Sequence, residues 1–128
     1  MFTKEERSTF PYWFAHWCAF NMTALNLRIW KVKYLFHDIE KPWLKLLWKD
    51  YAKVQKFHRS KNRHHLEYEG NKEIDCEALV IDWECSAFTK LNCQRKARAE
   101  VYKKIEDGHP KSEFLKEKII PILDKLNL

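Results

Sequence analysis

Residues 8–25 read Ser8-Thr9-Phe10-Pro11-Tyr12-Trp13-Phe14-Ala15-His16-Trp17-Cys18-Ala19-Phe20-Asn21-Met22-Thr23-Ala24-Leu25. Ser8 and Thr9 are polar residues of the kind that cap a helix, and Pro11 suits a first turn, where its missing N–H has no partner to lose. The stretch predicts a helix over about Tyr12 to Leu25. Its apolar side chains (Trp13, Phe14, Trp17, Phe20, Met22) are dense enough to predict burial on several sides. One histidine, His16, stands in the middle of that run.

The same logic extends outward. Two glycines and four prolines in 128 residues are too few for a turn-rich sandwich or barrel. A second stretch, about Leu27 to His37, is expected to be helical, although part of it alternates and also fits a short strand. Pro42 opens a third predicted helix, about Pro42 to Phe57, with Trp43, Leu44, Leu47, Trp48, Tyr51 and Val54 on one side. Arg59 to Lys72 is polar and reads as a loop, with room for a short helix. A fourth helix is expected over Asp75 to Leu91 and an amphipathic one over Gln94 to Glu106. No Gly or Pro separates these two, which leaves one continuous helix open. Asp107-Gly108-His109-Pro110 breaks the chain. A last helix is expected over Ser112 to Ile120, kinked or ended by Pro121. The expected fold class is therefore all-α: one domain, residues 1–128, a compact bundle of about six helices.

Charge is unevenly placed. Residues 1–64 carry 13 basic and 5 acidic side chains, residues 65–128 carry 11 and 13, and the whole chain is +6. Residues 41–63 alone hold eight basic side chains against Asp50. Lys41, Lys45, Lys49 and Lys53 fall at i, i+4 spacing, a ladder expected along one helix side. Such a field draws phosphate esters, nucleotides or a nucleic-acid backbone, unless it is simply a solvated face. Cys18, Cys76, Cys85 and Cys93 form no Cys-x-x-Cys pair and read as reduced packing residues. No apolar run reaches the roughly 18–20 residues of a membrane span. The opening Met1 to Glu6 is polar and unlike a secretory signal, so a cytoplasmic location and no membrane partner are expected.

The chemistry-bearing residues are His16, His37-Asp38, His58, His64-His65 and Asp82, mostly in helical context. Taken singly, each has a plainer reading: a core histidine, a weak dipeptide, a polar loop, an aspartate paired with a nearby cation. Taken together they form a donor set for Mn, Fe, Ni, Co or Zn. Asp82 lies among Val80, Ile81 and Trp83, where burial is costly unless a cation partners it. His109, in the Gly/Pro turn, is expected to have no role.

This ordered set resembles the HD-domain metal-dependent phosphohydrolases, helical bundles with His, His-Asp and Asp ligands on successive helices. His16 matches the first His, His37-Asp38 the doublet and Asp82 the last Asp, with His58, His64 and His65 as added ligands. Lys41 matches a Lys three residues after the doublet that faces phosphate. The strings LFHDIEK and HRSKNRHHLEY also resemble a small bacterial and phage family with His-Asp-x-x-Lys and His-x-x-x-Asn-x-His-His elements, the latter met by His58, Asn62, His64 and His65. The resemblance implies one or two divalent ions. His16, His37, Asp38 and Asp82 would hold one, and Asp38 would bridge to a second held by His58 and by His64 or His65. It also implies hydrolysis of a nucleotide or small phosphate ester, with Asp38 and Lys41 catalytic and Lys41, Arg59 and Arg63 on the substrate's phosphate. Trp17, Trp43 or Tyr68 would be available to stack on a base. Oxygen chemistry at a di-iron centre uses the same ligands and is an alternative. A second alternative is a non-enzymatic protein binding nucleic acid through its basic residues.

Overall fold

The computed structural model describes residues 2–3, 6–47, 50–89 and 96–128. Among them the fold is all-α, with no strand. Helix α1 (Phe10–Asn26) begins where the sequence places it. Thr9 is its N-cap, accepting from the Tyr12 N–H, and Pro11 lies in the first turn. It ends in a Schellman turn, with Ile29 N–H on the Ala24 carbonyl and Arg28 in the left-handed region. Phe10, Phe14, Met22 and Leu25 are exposed, so α1 is not buried on several sides: one apolar face is covered and another is open.

The second expected helix is absent. After α1 the chain makes only a 3-10 turn at Val32–Phe36 and then the turn that carries His37 and Asp38. The third is two helices, α2 (Lys41–Leu47) and α3 (Tyr51–Lys61). Asp50 has extended backbone and caps α3 by accepting from the Ala52 N–H at 3.0 Å. The lysine ladder is therefore not one helix side. Lys41 turns inward, Lys53 is exposed on a different helix, and Lys49 with Trp48 lies outside the described residues.

Helix α4 (Cys76–Thr89) is the centre of the molecule, and the end expected at Leu91 lies outside the described residues. Most of its side chains are buried, and apolar ones line two of its sides. One side joins Ala78, Ile81 and Cys85 to Phe20, Ala24 and Tyr34, which seats α4 along α1. The other joins Leu79 and Val80 to Leu66, Ala97, Val101, Leu115, Ile119 and Leu123. Each such fully buried side chain contributes about 1.5–3 kcal/mol relative to exposure.

Helix α5 (Ala97–Glu106) is not continuous with α4. Lys96 is extended (φ −77°, ψ 172°), and the Ala97 N–H donates to Glu84 Oε2 at 3.0 Å. Gln94, where its start was expected, and Cys93 lie outside the described residues. The break at Asp107 to Pro110 is present, with Gly108 at φ 74° in a second Schellman turn. Pro121 does not end the last helix. α6 (Ser112–Phe114) runs through a π-helical stretch, Leu115–Ile119, into α7 (Ile120–Lys125). The wider turn places the Ile120 N–H on the Leu115 carbonyl and makes room for the proline ring. Leu115, Ile119 and Leu123 stay in one buried row.

Candidate metal centre

Four separate pieces of chain bring the donors together. α1 supplies His16, the turn after the 3-10 segment supplies His37 and Asp38, and α4 supplies Asp82. α3 supplies His58, and the turn beyond it His64 and His65. His16, His37, Asp38, His58, His65 and Asp82 are all buried. They form two groups that share Asp38: His16, His37, Asp38 and Asp82, and Asp38, His58, His64 and His65. Within each group the donor atoms lie within 4.8 Å of one another, so each can hold a metal ion.

The two oxygens of Asp38 face different groups. Oδ2 is 3.4 Å from both His16 Nε2 and His37 Nε2. Oδ1 is 2.9 Å from His58 Nε2 and 3.0 Å from His64 Nε2. Asp82 Oδ1 lies 3.0 Å from His16 Nε2 and 3.4 Å from His37 Nε2. Ligands about 2.0–2.2 Å from one ion stand roughly 2.8–3.6 Å from each other in octahedral or tetrahedral arrangements, which matches these spacings.

Direction decides what those short distances mean. Both oxygens of Asp38, Oδ1 of Asp82, and Nε2 of His58, His64 and His65 are buried and make no hydrogen bond. Buried polar atoms are nearly always satisfied, and six unsatisfied ones in one place need a partner. Two carboxylates face the ammonium of Lys41, 3.2 Å from Asp38 Oδ2, and the remaining negative charge is met either by protons on His16 and His58 or by a bound cation. A cation also gives the unsatisfied lone pairs a partner. The residues present therefore fit one.

Outer contacts hold the donors in place. Trp13 Nε1 donates to the Asp38 carbonyl at 2.7 Å. Asp38 itself is left-handed at φ 56°, a conformation Asp tolerates better than most residues. His58 Nδ1 meets Glu40 Oε1, and the Asn62 amide donates to the same oxygen at 2.9 Å, which leaves His58 Nε2 turned to the cluster. His37 stacks on Phe20 with ring centroids 3.6 Å apart.

Protonation follows the same geometry. Burial lowers the His37 imidazole to about 4 and the His65 imidazole to about 2, so both are neutral lone-pair donors near pH 7. Burial also opposes charge on His16, but Cys85, Asp38 and Asp82 outweigh it and hold His16 well above its ordinary value. His58 is raised against burial by Asp38 and Glu40. Asp38 stays well below the usual carboxylate range despite its burial, because His37, Lys41 and His58 favour its anion.

Not every expected residue is here. Arg59 lines a cleft of about 190 Å³ together with Lys41, His16, His65, Asp82 and Lys104. Arg63 does not share it: its Nε donates to the Glu73 carbonyl at 2.8 Å, and it borders a different hollow with Lys33 and His64. Trp17 donates to the Leu35 carbonyl, Trp43 is exposed, and the Tyr68 hydroxyl accepts from the Lys72 N–H. None of these three lines the cleft, where the rings are those of Tyr12 and Trp83. His109 Nδ1 accepts from the Lys111 N–H, away from the centre. Glu40 and Trp13 were not singled out by their types. Glu40 was visible only as the acid inside HDIEK, and the i, i+4 spacing of His58 and Asn62 was the clue to its neighbours.

Comparisons with protein-family models, with curated proteins and with solved structures find no match. No helix among the described residues is long and apolar enough to cross a membrane.

Proposed function

We propose that the protein is a metal-dependent phosphohydrolase of the HD type, acting on a nucleotide or another small phosphate ester. The observation that carries this reading is the pairing of two donor groups through Asp38 beside a polar cleft in which Lys41 and Arg59 stand with His16, His65 and Asp82. Ions held there would acidify a water and screen charge building on a phosphoryl group. The chain's own residues do the rest. Asp38 and Asp82 stay anionic, and His37 and His65 stay neutral, so all four present lone pairs. Glu40 takes the Nδ1 side of His58 and leaves Nε2 for the cluster. Burial works against charge on Lys41, but Asp38 keeps it firmly protonated, so its ammonium is available to a phosphoryl oxygen. Arg59 adds a second cation on the same cleft.

The test is metal analysis of the purified protein, with phosphatase and phosphodiesterase assays over a nucleotide panel beside Asp38→Ala. Hydrolysis that needs metal and is lost in the variant supports the reading. Equal activity in Asp38→Ala removes it. Iron retained with oxygen uptake and no hydrolysis overturns it in favour of di-iron chemistry on the same ligands.

A further inference from the structure

A second cavity meets the same site. It has a volume of about 280 Å³ and is walled by Phe10, Trp13, Pro42 and Tyr51, with Asp38 and Lys41 at its inner end. It lies between the start of α1, the start of α2 and the start of α3. Lys41, His16 and Tyr12 line both this pocket and the charged cleft, so a ring in the pocket lies beside the side chains of the donor site.

The pocket wall has few free polar groups. The Thr9 hydroxyl donates to the Glu6 carbonyl and caps α1, and the Tyr51 hydroxyl accepts from Gln55 at 2.7 Å. Trp13 Nε1 is engaged by the Asp38 carbonyl. A ligand edge rich in donors and acceptors would lose its water here and gain little in return. A flat apolar ring would lose nothing and would meet the rings of Phe10 and Trp13, whose centroids are 5.4 Å apart. The volume lies just below the range for drug-sized ligands and suits a single ring system.

We infer that the ligand of this site is an aryl phosphate ester, its ring seated in the Phe10–Trp13–Tyr51 pocket by shape and its phosphoryl group beside Lys41. The anionic half rests on the phosphohydrolase reading. The aromatic half rests on the pocket alone.

Calorimetric titration of manganese-supplied protein with phenylphosphonate and with methylphosphonate tests it without turnover. Phenylphosphonate is expected to bind about tenfold more tightly, the effect of burying one ring. Phe10→Ala is expected to bring that ratio towards one. Phe14→Ala, an exposed ring on the same helix outside the pocket, is expected to keep it. Equal binding of the two phosphonates, or a preference that survives Phe10→Ala, overturns the inference. The two readings fail separately. A ring preference without hydrolysis of any phosphate ester sinks the hydrolase reading only, and hydrolysis without a ring preference sinks this one only.

Discussion

Single residues in this chain have plain reasons for being where they are. Asp38 is the clearest: it is 2% exposed, left-handed, and has an oxygen facing each donor group. Asp38→Asn keeps the backbone tolerance but replaces one acceptor by an amide and removes the charge. Loss of metal retention is expected in elemental analysis, with the helical circular dichroism unchanged. Glu40→Gln is milder. It leaves every donor in place and removes only the carboxylate that orients His58. A 10–100-fold weaker metal affinity is the order expected for such an outer partner, read by competition with a coloured chelator. An unchanged affinity would mean that Glu40 orients nothing. The donors themselves were legible in the sequence, because imidazoles and acids are few and their types declare their chemistry. Glu40 and Trp13 were not, because an acid or an indole becomes a positioning group only through a neighbour brought by folding.

Elements were legible where the local code is strong and illegible where a distant residue writes it. Thr9 and Pro11 announced α1, and Gly108 announced the end of α5. The break between α2 and α3 carries no Gly or Pro, and its one signal was Asp50 as a cap. The separation of α4 from α5 had no adjacent signal in the form of Gly or Pro. α5 is capped by Glu84, a carboxylate from α4 thirteen residues earlier, buried at 7% exposure and bonded to the Ala97 N–H. Glu84→Ala is therefore expected to cost about 1–2 kcal/mol, the value of a lost cap with a charged acceptor. A urea midpoint that falls at constant slope would show it, and an unmoved midpoint would remove Glu84 as the cap. Pro121 does not stop the last helix, because the row Leu115, Ile119, Leu123 is buried firmly enough for the helix to widen by one residue and carry on.

At the scale of the molecule, a bundle with this many titratable groups at its centre should show the site in its stability. Without metal, His37 and His65 resist protonation when folded but not when unfolded. As pH falls below the ordinary imidazole value of about 6.5, the unfolded chain gains protons that the folded one refuses, and stability declines down to about 4 for His37. His16 and His58 act in the opposite direction. Their folded values are raised, so the stability they add is fully present below about 6.5 and is lost as pH rises through those raised values. The metal-free protein is thus expected to be most stable near pH 6.5 and weaker on both sides. A bound cation takes the place of the protons on His16 and His58, so binding releases protons and strengthens as pH rises. At free metal about 100-fold above its dissociation constant the gain is about 2.7 kcal/mol. Melting curves from pH 5 to 9, with chelator and with manganese or zinc, separate the two states. The expected result is a gap that widens on the alkaline side. Parallel curves would mean that ions bind elsewhere on the surface, and that the buried donors are held together by protons alone.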